Sequence, residues 1–242
     1  MKNPDFNIIA IVPARGGSKK VPRKNIKILD GKPLLYYTIR EAKKSKYIDR
    51  IIVTTDDREI ADIALKYDAE VPFLRPGELA GDNITDLPVF QHCIQWIEQN
   101  EKYQVDVVVH LRVTAPLRTI EHIDKGIELL LKNPSADSLR SLTIAGQHPM
   151  KMWMLKNNQL EPFIPESQSG LEESYNMPRQ RLPKVYIQNA SVDVIWCKTI
   201  IEKNSMCGDK IIPFIMDEDV SVNIDTKVDF ILAETLLKKD EQ

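Results

Sequence analysis

Cysteine is scarce in this 242-residue chain, and the three present, Cys93, Cys197 and Cys207, are odd in number and unpatterned. That argues against a disulfide framework and suits a reducing cytoplasm. No apolar run approaches the length of a membrane span, and the opening MKNPDFN shows no signal-peptide pattern, so neither membrane insertion nor export is expected. An excess of basic charge is missing too: 33 Lys and Arg against 35 Asp and Glu leave a net charge of −2 and a pI near 6.1. A general nucleic-acid binder would show a basic face across the domain, so no nucleic-acid partner is expected. Neither common phosphate loop occurs, G-x-x-x-x-G-K-[ST] or G-x-G-x-x-G. There is no internal repeat and no low-complexity segment. The length fits one large α/β domain, or one domain with an inserted arm.

One local absence points towards function. From Ala14 to Asn25 there is no acidic residue, while Arg15, Lys19, Lys20, Arg23 and Lys24 crowd the same stretch. Like charges so close repel unless an anion sits among them. The preceding run Ile8 to Val12 is apolar throughout, too short for a helix and right for a strand buried on both faces. Pro13 ends it. Gly16 and Gly17 let the backbone approach a ligand and turn N–H groups towards it. The reading is a polyphosphate cradle at the C-terminal end of a first strand, where open α/β sheets bind ligands. A solvated basic loop is the bland alternative.

Apolar runs and helical periodicity then alternate. Pro33 starts a helix with Leu35, Ile39 and Ala42 inward, and Ile51 to Thr55 reads as a second buried strand. Asp56 and Asp57 follow it; they could touch a ligand, but capping the next helix is the favoured reading. A short strand is expected at Ala69 to Leu74, a helix over 87 to 98, and a buried strand at Val105 to Leu111. Arg112 and Arg118 stand just beyond that last strand. A helix over 119 to 132 and strands at Ser138 to Leu142, Tyr186 to Trp196 and Lys210 to Met216 come next. The last helix should run from Thr226 to Lys238 with Val228, Ile231 and Leu232 inward. This alternation predicts a three-layer, mostly parallel α/β sheet.

The segment 147 to 190 departs from that pattern. Five of the 15 prolines and four of the 7 methionines fall between 147 and 185, with an alternating stretch at Lys151 to Leu155. Proline-broken, methionine-rich sequence makes a poor central core and a serviceable interface arm, so it is expected to dock a second copy. The main domain is then 1–146 with 191–242. Near the end, Asn223 and Asp225 lie two apart in an extended segment and share a side. The pair can hold one metal beside a polyphosphate, or Asp225 can simply cap the last helix.

Together these stretches resemble the cytidylyltransferase family that activates acidic 2-keto sugars, the CMP-sialic acid synthetases and relatives. The resemblance rests on Pro13-Ala14-Arg15-Gly16-Gly17-Ser18-Lys19 with Pro22 and Lys24-Asn25, and on Ile52-Val53-Thr54-Thr55-Asp56. It continues through Arg75-Pro76 with Glu78-Leu79-Ala80 and Asp82, Thr114 with Pro116-Leu117-Arg118, and Asn223-Ile224-Asp225-Thr226. It implies a Rossmann-like nucleotidyltransferase fold, a homodimer made by a projecting arm, Mg²⁺ dependence and a cytoplasmic location. It implies that Arg15, Lys19 and Lys24 hold the triphosphate of CTP, in a loop with Ala14, Gly16, Gly17, Ser18 and Asn25. Arg75, Ala80 and Asp82 would line the nucleotide pocket, Thr114 would lie on the sugar side, and Asp225 would ligate the metal. The implied reaction is attack of an anomeric hydroxyl on the α-phosphorus of CTP, expelling pyrophosphate.

Three departures touch the sugar and metal sides. Asn223 stands where the family commonly has Asp, and Arg112 where it has Gln. Ile187-Gln188-Asn189-Ala190 stands where it often has Arg-Pro-Asn-Gly, which removes an expected sugar-carboxylate cation. Gln188 and Asn189 remain candidate sugar contacts, and Arg112 can take the carboxylate bidentately. Two other readings stay open: a nucleotidyltransferase of this fold with another acceptor or nucleotide, and a nucleotide-binding module without turnover.

Overall fold

A computed structural model describes residues 6–240. Thr143–Ile187 forms one compact unit, and the other described residues form the second. In chain order the elements are β1 (Ile8–Pro13), β2 (Ile28–Leu29), β3 (Lys32–Pro33), α1 (Leu34–Lys44), β4 (Arg50–Thr54), α2 (Arg58–Lys66) and α3 (Asp86–Glu101). They continue with β5 (Val107–His110), α4 (Ile120–Leu131), β6 (Ser138–Ile144), β7 (Trp153–Lys156), β8 (Gln159–Pro162) and α5 (Glu166–Ser169). Last come β9 (Tyr186–Trp196), α6 (Cys197–Ile201), β10 (Ile211–Ile215) and α7 (Lys227–Asp240).

The larger unit is built on a six-stranded sheet of order β10-β6-β9-β5-β1-β4. β1 runs parallel to both β4 and β5, β10 runs parallel to β6, and β9 runs antiparallel to β5. The two-residue period of β1 explains the layers. Ile8, Ala10 and Val12 face one core with Leu35 and Ile39 of α1 and Ile123, Ile127 and Leu130 of α4. Ile9 and Ile11 face the other, with Phe90, Cys93, Ile94 and Ile97 of α3 and Ile200 of α6. Helices therefore cover both faces, and the all-apolar β1 is the sequence such a strand requires. In the core, Cys93 is fully buried and its thiol is pushed up to about 12, so it packs as an apolar side chain.

Several expectations need correction. The strand expected at Ala69 to Leu74 shrinks to one bridge between Glu70 and Ile52, because Pro72 has no N–H to extend the ladder. In α7 the inward residues are Phe230 and Ala233, while Val228, Ile231 and Leu232 are exposed. The apolar residues there offer more than one helical stripe, and the one holding the large Phe230 ring is the one buried. Asp57 caps α2 by accepting the Ile60 N–H at 3.1 Å, but Asp56 turns away and accepts the Gly16 N–H at 3.0 Å.

In the smaller unit β7 and β8 form an antiparallel hairpin, in which β7 begins two residues later and ends one residue later than the alternation at Lys151 to Leu155 suggested. Gln188–Ala190, grouped with the arm in the sequence reading, belong to the larger unit as the first residues of β9 in that unit.

Candidate active site

The C-terminal ends of β1 and β5 open into a cleft of about 620 Å³. Its wall includes Arg15, Ser18, Lys19, Lys20, Lys24 and Asn25 from the loop after β1, with Arg75 and Asp82 from the loop after Pro72. Arg112 and Thr114 come from the loop after β5, and Asp225 from the segment before α7. Residues 200 positions apart in sequence thus share one wall.

The loop after β1 is held by its own backbone. Ala14 is buried and donates its N–H to Thr54 at 3.0 Å, while the buried Asn25 amide donates to the Arg15 carbonyl at 2.8 Å and closes the loop. The two glycines are not equivalent. A Cβ on Gly16 would lie 2.8 Å from the Asp57 carboxylate, whereas one on Gly17 would meet nothing within 4 Å. Gly16 is small because a protein carboxylate is there, and only Gly17 leaves open space.

Four of the five cations find carboxylates that the fold brings to them. Arg15 pairs with Asp82 at 3.0 Å, and Lys19 pairs with the same carboxylate. Arg23 turns to Asp57 and Glu59. Lys24 donates to the Ile224 carbonyl at 2.8 Å and pairs with Asp225 at 3.2 Å. Lys20 makes no ion pair or hydrogen bond among the described residues. The sequence could not show these acids, since all lie more than 30 positions away. The Lys19 ammonium, with Arg15 behind it, holds the Asp82 carboxyl below the usual carboxylate range. Ala80 accepts from Arg15 through its carbonyl at 3.4 Å. Arg75 is buried, spends its guanidinium on Thr54, with Nε to Oγ1 at 3.1 Å, and burial lowers its pKa.

On the opposite wall Arg112 is gripped from two sides, by Asp193 at 3.0 Å and Asp86 at 3.2 Å. The Thr114 carbonyl accepts the Ile224 N–H at 2.8 Å, which fixes Asp225 at the cleft. Gln188 and Asn189 do not line the cleft. Asn189 is buried, and its amide is spent on Ser141, Ser191, Ser221 and Met216. Gln188 donates to Asp193 at 3.2 Å and so reaches Arg112 only indirectly. Arg118 is buried against Thr38, the Ser191 carbonyl and the Arg112 carbonyl, and burial pushes its pKa down to about 9. It holds the loop rather than facing the cleft.

The start of α7 shows that Asp225 does not make the helix cap. The cap is made by Thr226 and Asp229: the Asp229 carboxylate accepts the Thr226 N–H at 2.7 Å, and the Thr226 hydroxyl accepts the Asp229 N–H at 3.3 Å. Asp225 is released from capping and exposed. Asn223 donates to it at 3.0 Å, and the Asn223 Oδ1 is buried with no partner among the described residues. No group of three or more His, Cys, Asp or Glu placed to hold a metal occurs among the described residues. One exposed carboxylate beside an unspent amide oxygen fits a hard cation that takes its other ligands from phosphate and water. Sequence reasoning missed Asp86, and it placed Asp193 on a strand, Tyr186 to Trp196, without giving it a role. A carboxylate inside an otherwise apolar strand was the available signal.

Residues 9–188 match the family model described as Cytidylyltransferase. The chain is 34% identical over 233 residues to the post-translational flagellin modification protein B of Campylobacter coli, covering 96% of this chain and 95% of that one. It is 31% identical over 239 residues to the CMP-N,N'-diacetyllegionaminic acid synthase of Legionella pneumophila, covering 98% and 99%. It is 31% identical over 235 residues to a pseudaminic acid cytidylyltransferase of Campylobacter jejuni, covering 97% of each. Among solved structures, a CMP:2-keto-3-deoxy-manno-octonic acid synthetase complexed with CTP superposes with a TM-score of 0.69 at 12% identity, covering 97% and 99%. That likeness shows a common fold.

Proposed function

The chain belongs to the cytidylyltransferase family, and from that premise we propose that it transfers CMP from CTP to the anomeric hydroxyl of an acidic 2-keto sugar of the nonulosonate type. The observation that carries the reading is the convergence of Arg15, Lys19 and Lys24 with Asp225 on one cleft. Relatives named for pseudaminic, legionaminic and N-acylneuraminic acids supply the acceptor class.

In this mechanism the acceptor oxygen forms a bond to the α-phosphorus while the bond from that phosphorus to the β-phosphate bridging oxygen breaks. Pyrophosphate leaves, and the hydroxyl proton passes to solvent. Such a displacement needs positioning and charge neutralisation rather than a protein nucleophile. Arg15, Lys19 and Lys24 hold the triphosphate, with Ser18, Asn25 and the backbone of Ala14, Gly16 and Gly17 shaping the cradle. Arg75, Ala80 and Asp82 line the nucleotide end. CTP therefore exchanges places with Asp82 on Arg15 and Lys19. Arg112 and Thr114 face the acceptor. Asp225, with the Asn223 oxygen, would hold Mg²⁺, which supplies further neutralisation of phosphate charge.

The compact unit 143–187 exposes Met152, Trp153, Met154, Leu155, Leu160 and Phe163, an apolar set suited to pairing with a second copy in a homodimer. The reading includes a cytoplasmic setting, where free thiols such as those here persist. No described helix is long and apolar enough to cross a membrane. The test is pyrophosphate release with Mg²⁺ from each of four nucleoside triphosphates against a panel of 2-keto sugar acids. Turnover confined to CTP and one acid is expected. CTP binding without turnover on any acid would point to another acceptor or to a binding module.

A further inference from the structure

Behind Arg112 of the cleft wall, across Asp193, the sheet carries a cation that the sequence motifs do not include. Arg140 lies on β6, and β6 neighbours β9. Its Nε approaches the Asp193 carboxylate from the side away from Arg112, 3.6 Å from Oδ1, too long for a hydrogen bond. Asp193 is 2% exposed, and His110 packs 4.0 Å from it on β5. Burial first, and then Arg112, Arg140 and Arg118, push the His110 pKa well below its ordinary value, so His110 adds no charge.

The polar atoms at this carboxylate are not all satisfied. Arg140 Nε and Asp193 Oδ1, 3.6 Å apart, are both buried and without a hydrogen-bond partner among the described residues, as is Nε2 of the neighbouring His110. Native structures leave few such atoms, and a cluster of them marks a place where a polar ligand or water belongs. Arg112 is already satisfied by Asp86 and Asp193, while the Arg140 side chain makes no hydrogen bond among the described residues. Its guanidinium keeps five donors in a planar fork, the shape that takes a carboxylate bidentately. A purely structural ion pair would show the reverse, with the buried partner saturated.

We infer that Arg140 and Arg112, held on either side of the buried Asp193, form the subsite that takes the carboxylate of the acceptor. The inference rests on the proposed cytidylyl transfer. It also accounts for the absence of a cation in Ile187-Gln188-Asn189-Ala190: the charge is supplied from β6 and from the loop after β5. Asp193 is then a positioning residue that aligns the two guanidinia; the terminal nitrogens of Arg140 are free for the acceptor, and Arg112 meets it by exchanging Asp86. Arg140 confers selectivity for acids over uncharged analogues.

The experiment measures steady-state kinetics with CTP and the acidic sugar that turns over, chosen from pseudaminic acid, N,N'-diacetyllegionaminic acid and N-acetylneuraminic acid, and with the carboxamide of that sugar. In Arg140→Ala the Michaelis constant for the acid should rise at least tenfold, while that for CTP stays within twofold. Arg140→Lys should recover part of the loss. Asp193→Asn should raise the acceptor constant in the same direction. The wild-type preference for acid over carboxamide should fall about tenfold in Arg140→Ala. An unchanged acceptor constant in Arg140→Ala or Arg140→Lys overturns the subsite, as does a wild type that treats acid and carboxamide alike; the latter needs no variant to fold. A wild type that turns over no acid overturns the proposed reaction and the subsite together. A wild type active on an acid, with Arg140 indifferent, overturns the subsite alone.

Discussion

Replacing Gly16 by alanine should destabilise the protein and disturb the cleft, while the same change at Gly17 should not destabilise it. The new methyl at position 16 would sit 2.8 Å from Asp57 Oδ2 and 3.1 Å from Asp57 Cβ, so Asp57 must retreat. Asp57 accepts the Ile60 N–H at 3.1 Å and pairs with Arg23. Losing such a cap costs about 1 kcal/mol, and a half-exposed ion pair adds a few tenths to about 1 kcal/mol. The sum is about 1–2 kcal/mol, or a Tm lower by roughly 2–8 °C for a domain of this size. At Gly17 nothing lies within 4 Å, so alanine should be neutral or stabilise by up to about 1 kcal/mol through the unfolded chain. Thermal melts of the two variants, with CTP affinity measured on each, decide the matter. Equal melting shifts, or a larger one at position 17, would refute the assignment of Gly16 to Asp57 rather than to ligand.

Further expectations follow from the same geometry. Asp82→Asn removes the carboxylate that occupies Arg15 and Lys19, so CTP should bind up to about fivefold more tightly, a small gain because the pairs are exposed to solvent. Weaker CTP binding in that variant would mean that Asp82 contacts the nucleotide directly. Asp57 is held below the usual carboxylate range, first by its hydrogen bond to Arg23. A depressed carboxyl contributes stability above its unfolded pKa and loses it as pH falls, so Asp57→Asn should flatten the stability loss between about pH 5 and pH 3. Urea titrations across that window check this, and an unchanged slope counts against it. Ala190 adopts φ +58°, a left-handed conformation in which a Cβ is strained. Ala190→Gly should therefore raise stability by about 1 kcal/mol, read as a higher urea midpoint.

The layers of the fold were legible because β1 and β5 are apolar on both faces, and a two-residue period cannot hide which core each side chain enters. The helix stripes of α1 and α3 read equally well. α7 did not, because Val228, Ile231 and Leu232 compete with Phe230 and Ala233, and only tertiary packing chooses between them. In the cleft, the cation cluster after β1 was visible as a run without acids. Its counter-charges were not: Asp57, Asp82 and Asp225 are distant in sequence and meet the loop only in the fold. That Asp225 does not cap α7 was visible only once Thr226 and Asp229 were seen to make the cap. Arg140 carried no motif, and only its neighbour Asp193, a charge inside a buried strand, hinted that something polar crosses there.

The most direct test of the central claim is pyrophosphate release from CTP and Mg²⁺ with pseudaminic, N,N'-diacetyllegionaminic and N-acetylneuraminic acids, each also run with ATP, GTP and UTP. The account predicts release that requires CTP and an acidic 2-keto sugar together, with CMP recovered on the sugar. Equal release with a neutral sugar, or none with any acid while CTP is bound, would contradict it.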